Sequence, residues 1–287
     1  MKPSAFDYSR PESLDETLDV LAGLGEDGKV LAGGQSLVPL LSMRLAAPHH
    51  LVDINRVSSL SYVRSGADGV RVGALTRHAE LEHNDSAAQV QPLLRRALRL
   101  VAHPTIRNRG TTVGSLVHAD PAAEMPAVLA LLGGSVRVAR SGGERTVAAA
   151  DFFLGPLESA VEAGELAVEA FFPSLPARSA ASFVEVARRH GDYAVCGVCA
   201  VVSLDDDLRI ASVRAAYVSV APTPLVVDLT SALLGTTFDA SLDDVRDLAV
   251  QSVDPEADIH ASAEYRRHLA GALTVRVVRA AAVEAAA

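Results

Sequence analysis

Lys29-Val30-Leu31-Ala32-Gly33-Gly34-Gln35-Ser36 is a short apolar run that stops on two glycines, and helical spacing resumes from Leu37 to Leu45. Pro39 falls in the first turn of that helix, where a missing N–H costs nothing. The stretch therefore reads as strand, glycine turn, helix. Gly33 and Gly34 can take φ values closed to other residues, which exposes consecutive backbone N–H groups, and Ser36 adds a hydroxyl at the start of the helix. That makes an anion nest; a Gly-Gly between strand and helix serves equally well as a tight connection with no ligand.

Upstream, Ser13-x-x-Glu16 is a capping box, followed by Leu14, Leu18 and Leu21 on one helical face. Gly23-Leu24-Gly25-Glu26-Asp27-Gly28 matches the dinucleotide fingerprint G-x-G-x-x-G. That fingerprint needs a strand before it and a helix after it, and here the order is reversed, so these glycines are assigned to the end of the first helix. Downstream, Leu51–Ile54 and Val70–Ala74 read as strands, with a helix starting near Thr76 and another from Pro92 to about His103, stopped by Pro104. Thr105 to Pro121 reads as irregular. Within it, Thr111-Thr112-Val113-Gly114-Ser115 combines hydroxyls and a glycine next to Arg107 and Arg109, either as a second anion-receiving turn or as a structural Ω-loop whose hydroxyls satisfy their own backbone.

A helix from about Ala122 to Leu132, a hairpin at Ser141-Gly142-Gly143-Glu144 and a strand near Leu166 to Ala170 lead to a boundary at Pro173 to Pro176. Beyond it, Ser182–Val186, Tyr193–Leu204 and Arg209–Val220 read as an antiparallel sheet, with helical patterns over Leu225–Leu234, Leu242–Val250 and from Ser262 onward. The fold class is α+β.

With 287 residues, 49% of them hydrophobic and 21% charged, the chain is long enough for two or three units with real cores. A formal charge of −9 argues against wholesale binding to nucleic acid or anionic membrane. Neither a leader pattern at Met1–Ser9 nor an apolar stretch of transmembrane length is present, which places the chain in the cytoplasm. Cys196 and Cys199 have CxxC spacing, yet they sit in a run of strand character that sends them to opposite sides, so they read as buried hydrophobes rather than a redox pair. Two thiols cannot ligate an iron–sulfur cluster either. No histidine pair has metal-ligand spacing, and neither a G-x-S-x-G elbow nor a Walker A sequence occurs. Catalytic and metal-ligating residues are therefore expected to be none.

These residues resemble a family. Ala32-Gly33-Gly34-Gln35-Ser36-Leu37 with Arg44, Val52-Asp53-Ile54-Asn55, Gly73-Ala74-Leu75-Thr76, Ile106-Arg107-Asn108-Arg109-Gly110-Thr111, His118-Ala119-Asp120-Pro121-Ala122-Ala123-Glu124 and Arg188-Arg189-His190-Gly191-Asp192-Tyr193-Ala194 occur in that order. Together they are similar to the FAD-binding medium subunits of molybdenum hydroxylases of the carbon monoxide dehydrogenase and xanthine dehydrogenase type, over nearly the whole length.

The resemblance implies a PCMH-type FAD-binding domain over residues 1–175, in two α+β subdomains of about 1–54 and 55–175. It also implies a C-terminal domain over 176–287 with an antiparallel sheet and helices. It places the FAD diphosphate on Ala32, Gly33, Gly34, Gln35 and Ser36 and on Thr111, Thr112, Val113, Gly114 and Ser115. Val101 and Ala102 would lie along the cofactor, Glu124 would accept from a hydroxyl of its sugar-like parts, and Tyr193 would stand near the isoalloxazine. One departure is Val113, where the family carries the first of two glycines: either its φ is ordinary and negative, or the second turn is altered.

The implied function is an oxidoreductase subunit that passes electrons from iron–sulfur clusters of a small subunit through FAD to an external acceptor. Molybdenum cofactor would reside on a large subunit, in a dimer of heterotrimers, with substrate chemistry on carbon monoxide or an N-heterocycle. The rivals are a free-standing flavin oxidoreductase, which would turn over alone, and a flavin-free scaffold, which would be colourless.

Overall fold

The computed structural model describes residues 2–287. β1 (Asp7–Ser9), α1 (Leu14–Leu24), β2 (Gly28–Leu31), α2 (Leu37–Ser42) and β3 (His50–Asp53) build a three-stranded parallel sheet in the order β1-β3-β2. α1 starts at Ser13, whose hydroxyl accepts from the Glu16 N–H at 3.2 Å; the Glu16 carboxylate accepts from the N–H of Glu12 at 2.8 Å, so the reciprocal bond falls one residue before the cap. Leu18 and Leu21 go to the core. The helix ends at Leu24 with Gly25 at φ +53°, and Gly28 already opens β2, so the G-x-G-x-x-G run goes from helix to strand. α2 is shorter than its spacing suggests, because Arg44 turns left-handed at φ +59°.

The second unit opens with β4 (Val63–Gly66) and β5 (Gly69–Gly73). A run of helices follows: α3 (His78–Glu82), α4 (Asp85–Val90), α5 (Pro92–Leu98), α6 (Pro104–Arg107), α7 (Thr112–His118) and α8 (Glu124–Leu132). It closes with β6 (Ser135–Arg140), β7 (Gly143–Ala148), α9 (Ala149–Phe152), the small hairpin β8 (Phe153–Gly155) and β9 (Glu158–Ser159), and β10 (Leu166–Pro173). Its five-stranded sheet is antiparallel throughout, in the order β4-β5-β10-β6-β7. Alternation sorts the faces: Val70, Val72, Ala170 and Phe172 are buried under the helices, while Arg71, Glu169 and Phe171 face outward.

Two expectations fail in this unit. The helix from Pro92 stops at Leu98 rather than His103, since Ala102 takes φ +43° and Pro104 begins a new helix at its first position. The stretch expected to be irregular, 105–121, carries α7 and the end of α6, because the Thr111 side chain caps a helix there.

The third unit is a four-stranded antiparallel sheet of β11 (Ser179–Ala187), β12 (Ala194–Leu204), β13 (Ile210–Val218) and β14 (Leu225–Asp228), followed by α10 (Asp243–Ser252) and α11 (Ala263–Ala285). The helix expected over Leu225–Leu234 is instead β14 plus a 3₁₀ turn at Thr230–Ala232. Val226 and Val227 pair with Ala216 and Ala215, and the Asp228 carboxylate ends the strand by accepting from the Thr230 N–H at 2.9 Å. Cys196 packs in the core under α10 and α11, Cys199 in the core shared with the second unit. The two thiols of the CxxC, three positions apart, thus lie on opposite faces of one strand.

Candidate functional site

The end of β2 and the start of α2 place the first glycine turn. Gly34 is left-handed at φ +73°, a conformation that resists side chains. Gly33 is needed for a different reason: a Cβ there would stand 2.5 Å from the Arg109 carbonyl oxygen and 2.8 Å from Gly110 Cα, so the two glycine-bearing loops pack backbone on backbone. Among the described residues, none accepts a hydrogen bond from the N–H groups of Gly33, Gly34, Gln35 and Ser36. Ser36 makes no side-chain capping bond, so its hydroxyl too is without a partner among the described residues.

A polar clamp holds the loops together. Asn55 donates through Nδ2 to the Ala32 carbonyl at 2.8 Å and to the Asp53 carboxylate at 2.6 Å. Its Oδ1 accepts from Arg77 Nη2 at 2.7 Å, and Arg77 Nη1 donates to the Arg109 carbonyl at 2.8 Å. One side of the clamp grips the first turn and the other the second.

In the second turn Thr111 is the N-cap of α7, its hydroxyl accepting from the Gly114 N–H at 3.2 Å. A Cβ at Gly114 would lie 2.4 Å from that hydroxyl, so glycine is required by the cap itself. Val113 is helical and absent from the positive-φ residues, so a β-branched side chain is tolerated where the family carries glycine. Thr112 turns away: it is fully buried, its N–H donates to the Thr76 carbonyl at 3.3 Å, and its hydroxyl meets His78 Nδ1 at 3.3 Å.

Both turns form one wall of a cleft of about 1390 Å³ that runs between the three units. Ala32, Gly33, Gly34, Gln35 and Ser36 line it, as do Thr111, Val113, Gly114 and Ser115; Thr112 alone of the expected diphosphate contacts does not. Val101 and Ala102 line it further along, held by Arg107, whose Nη1 donates to both carbonyls at 2.9 and 3.2 Å. Arg107 is fixed in turn by the buried Glu82 carboxylate, 2.8 Å from its Nε.

Glu124 lines the cleft from the first turn of α8, only 9% exposed, and burial, reinforced by the charge of Asp120, pushes its carboxyl up to about 7. Behind it on β11, burial and the charge of Glu124 push Glu185 up to about 8, and its Oε2 is buried with no hydrogen-bond partner among the described residues. Tyr193 stands at the mouth, 70% exposed, at the end of a loop whose Gly191, at φ +86°, lies against the His103 ring. Four residues that shape the site had no role assigned from sequence: Asn55, Arg77, His78 and Arg107. Asn55 and Arg107 stand inside the quoted motifs and Arg77 and His78 directly after one, so position marked them while chemistry did not.

A cleft above the roughly 300–1,000 Å³ usual for small-ligand pockets, with a free N–H nest on one wall, fits a dinucleotide-sized anion. No group of three or more His, Cys, Asp or Glu is placed to hold a metal among the described residues, and both thiols are pushed up to about 12 by burial. Residues 4–175 match the model of the FAD-binding domain in molybdopterin dehydrogenase, and residues 181–281 the CO dehydrogenase flavoprotein C-terminal domain. The chain belongs to this FAD-binding flavoprotein family. The flavoprotein is 40% identical to the 6-hydroxypseudooxynicotine dehydrogenase complex subunit alpha of Paenarthrobacter nicotinovorans, over 97% of this chain and 95% of that one. It is also 40% identical to caffeine dehydrogenase subunit beta of Pseudomonas sp. strain CBB1, over 98% and 96%. The flavoprotein superposes on reconstituted CO dehydrogenase from Oligotropha carboxidovorans with a TM-score of 0.92 at 35% identity, covering 99% of both chains.

Proposed function

We propose that this flavoprotein is the FAD subunit of a heteromeric molybdenum hydroxylase, with the diphosphate seated on the paired turns Ala32–Ser36 and Thr111–Ser115. The observation that carries the reading is the backbone contact of Gly33 with Arg109 and Gly110 beside unengaged N–H groups on the same cleft wall. Gly33 to Ser36 offer N–H donors to the anion, joined by the Ser36 hydroxyl and the Val113 N–H. Glu124 receives a sugar-chain hydroxyl, Val101 and Ala102 pack along the cofactor, and Tyr193 covers the ring at the mouth. Thr112 acts from behind, by anchoring α7 to Thr76 and His78. Bound FAD supplies the change between single-electron and two-electron transfer; the chain holds it, orients it and excludes water, with no general acid or base of its own.

The two units ending at 175 form the FAD domain in this reading, as subdomains 1–54 and 55–175, and 176–287 completes the cleft. An iron–sulfur small subunit would deliver electrons and a molybdenum large subunit would oxidise the substrate, in a dimer of heterotrimers in the cytoplasm. Relatives are named for caffeine, nicotine and carbon monoxide, which fits a substrate pocket on another chain. The test is cofactor extraction from the complex purified with its neighbours: one FAD per copy of this chain is the expected result. A colourless complex would leave the scaffold role standing, and oxidation of an organic substrate by this chain alone would favour a free-standing oxidoreductase.

A further inference from the structure

We propose that His78 is a further cofactor-holding residue, whose Nε2–H donates to an oxygen of the diphosphate that rests on the two turns. The inference rests on the FAD reading above and adds to it a donor supplied by a side chain. His78 is only 4% exposed, and what remains open lies on the cleft, which it lines together with Gly33, Gly110 and Thr111. Its backbone is fixed by donation from its own N–H to the Gly110 carbonyl at 2.9 Å. Its ring is fixed at one end, where Nδ1 stands 3.3 Å from the Thr112 hydroxyl. No described residue pairs with Nε2 at the other end, so a polar atom of a nearly buried side chain is left without a protein partner.

The neighbouring glycine keeps that end of the ring clear. A Cβ at Gly110 would lie 2.9 Å from Cδ2 and 3.4 Å from Nε2 of the imidazole, so any other residue there would press on this edge. Burial, with the nearby Arg107 guanidinium adding to it, lowers the imidazole to about 4, so the ring is neutral at physiological pH and carries a single N–H. Donation from the Thr112 hydroxyl to Nδ1 puts that hydrogen on Nε2, and an anion in the cleft selects the same tautomer. The side chain then extends the row of backbone donors at the junction of the two turns, and it gives Thr112 a reason to be buried beneath the site rather than facing it.

The test compares FAD binding to the complex purified with its partner subunits, deflavinated and refilled, for wild type, His78→Gln and His78→Leu. Glutamine presents an N–H close to the Nε2 position and leucine none. Loss of one hydrogen bond to a charged oxygen predicts FAD affinity lower by roughly ten- to a hundredfold in His78→Leu and restored to within a few fold in His78→Gln. ADP, as a competing probe that keeps the diphosphate, should show the same pattern. Wild-type affinity in a folded His78→Leu complex overturns the proposal, and so does an equal loss in both variants, which would make His78 a packing residue only. If the leucine variant does not fold, nitrogen NMR of the wild-type imidazole decides: Nε2 of His78 must be the protonated nitrogen and must shift on FAD addition, and an unchanged resonance overturns the proposal. Failure of the wild-type complex to take up FAD at all would instead bring down the cofactor reading.

Discussion

Gly33 owes its identity to a neighbouring backbone: the space its side chain would need is held by Arg109 and Gly110. Gly33→Val must therefore push the loops apart before it touches any ligand, and the expected outcome is loss of FAD from a chain that still folds, read as the flavin-to-protein ratio. Stoichiometric flavin in that variant would separate the paired turns from cofactor binding. The sequence made Gly33 and Gly34 conspicuous as a pair, yet their separate reasons, close approach and positive φ, emerge only once the second loop is in place. Glu185 was not conspicuous at all, because a glutamate within a strand pattern reads as a solvated position. Its carboxyl rises from an ordinary 4.5 to about 8 in the folded chain. The folded state thus binds the proton more tightly, so the group's favourable contribution is complete below pH 4.5 and is lost as pH rises towards 8. Glu185→Gln, which cannot ionise, should flatten that fall and melt higher than wild type at pH 8, with the difference shrinking towards pH 5. Parallel melting curves for the two proteins across that range would refute the assignment.

The short helices show where sequence periodicity stops being informative. α6 and α7 hold four and seven residues, too few turns for an apolar stripe to repeat, and they exist because Pro104 starts one and the Thr111 hydroxyl caps the other. α1, α8 and α11 were legible because each is long enough to show a face or a cap, whereas β14 was misread as helix because Leu225-Val226-Val227 carries no period of its own and takes its conformation from β13. Cap and clamp lead to separate expectations. Thr111→Ala removes the acceptor for the Gly114 N–H and should cost about 1 kcal/mol, visible as a lowered denaturant midpoint with unchanged slope. Arg107→Met is more severe, since it strands the Glu82 carboxylate and frees the Val101 and Ala102 carbonyls. Breaking a buried pair from one side costs about 3–5 kcal/mol, and the segment beside the cofactor should loosen with it. A midpoint within error of wild type, with normal hydrogen-exchange protection in α6, would show that the clamp is dispensable.

Across the molecule, Pro173 ends β10 and Pro176 falls between β10 and β11, in the stretch that the sequence marks as a boundary. What it could not show is how much the parts on either side share. β12 alternates between two cores: Cys196 and Val198 face α10 and α11, while Cys199 joins Phe183, Ala216 and Val218 in the core that also holds Leu93, Met125 and Phe172. Period-2 alternation announces two buried faces without saying which layer covers each. The joint is polar as well: Arg96 on α5 donates to the Ala181 carbonyl and pairs with Glu284 of α11 at 2.7 Å, and the Ser219 N–H donates to the Pro121 carbonyl at 2.9 Å. An inter-unit surface this apolar resembles the inside of a domain more than a hinge. Heating should therefore melt the chain in one cooperative transition, with equal calorimetric and van't Hoff enthalpies. A fragment covering residues 1–175 should bind a hydrophobic dye and lack a sharp transition, because α5 and α8 would lose the strands β11, β12 and β13 that pack against them. Two resolved transitions in the full chain, or a fragment that melts sharply without binding dye, would mean that the shared core does not couple the units, and that the cleft between them can open without unfolding either side.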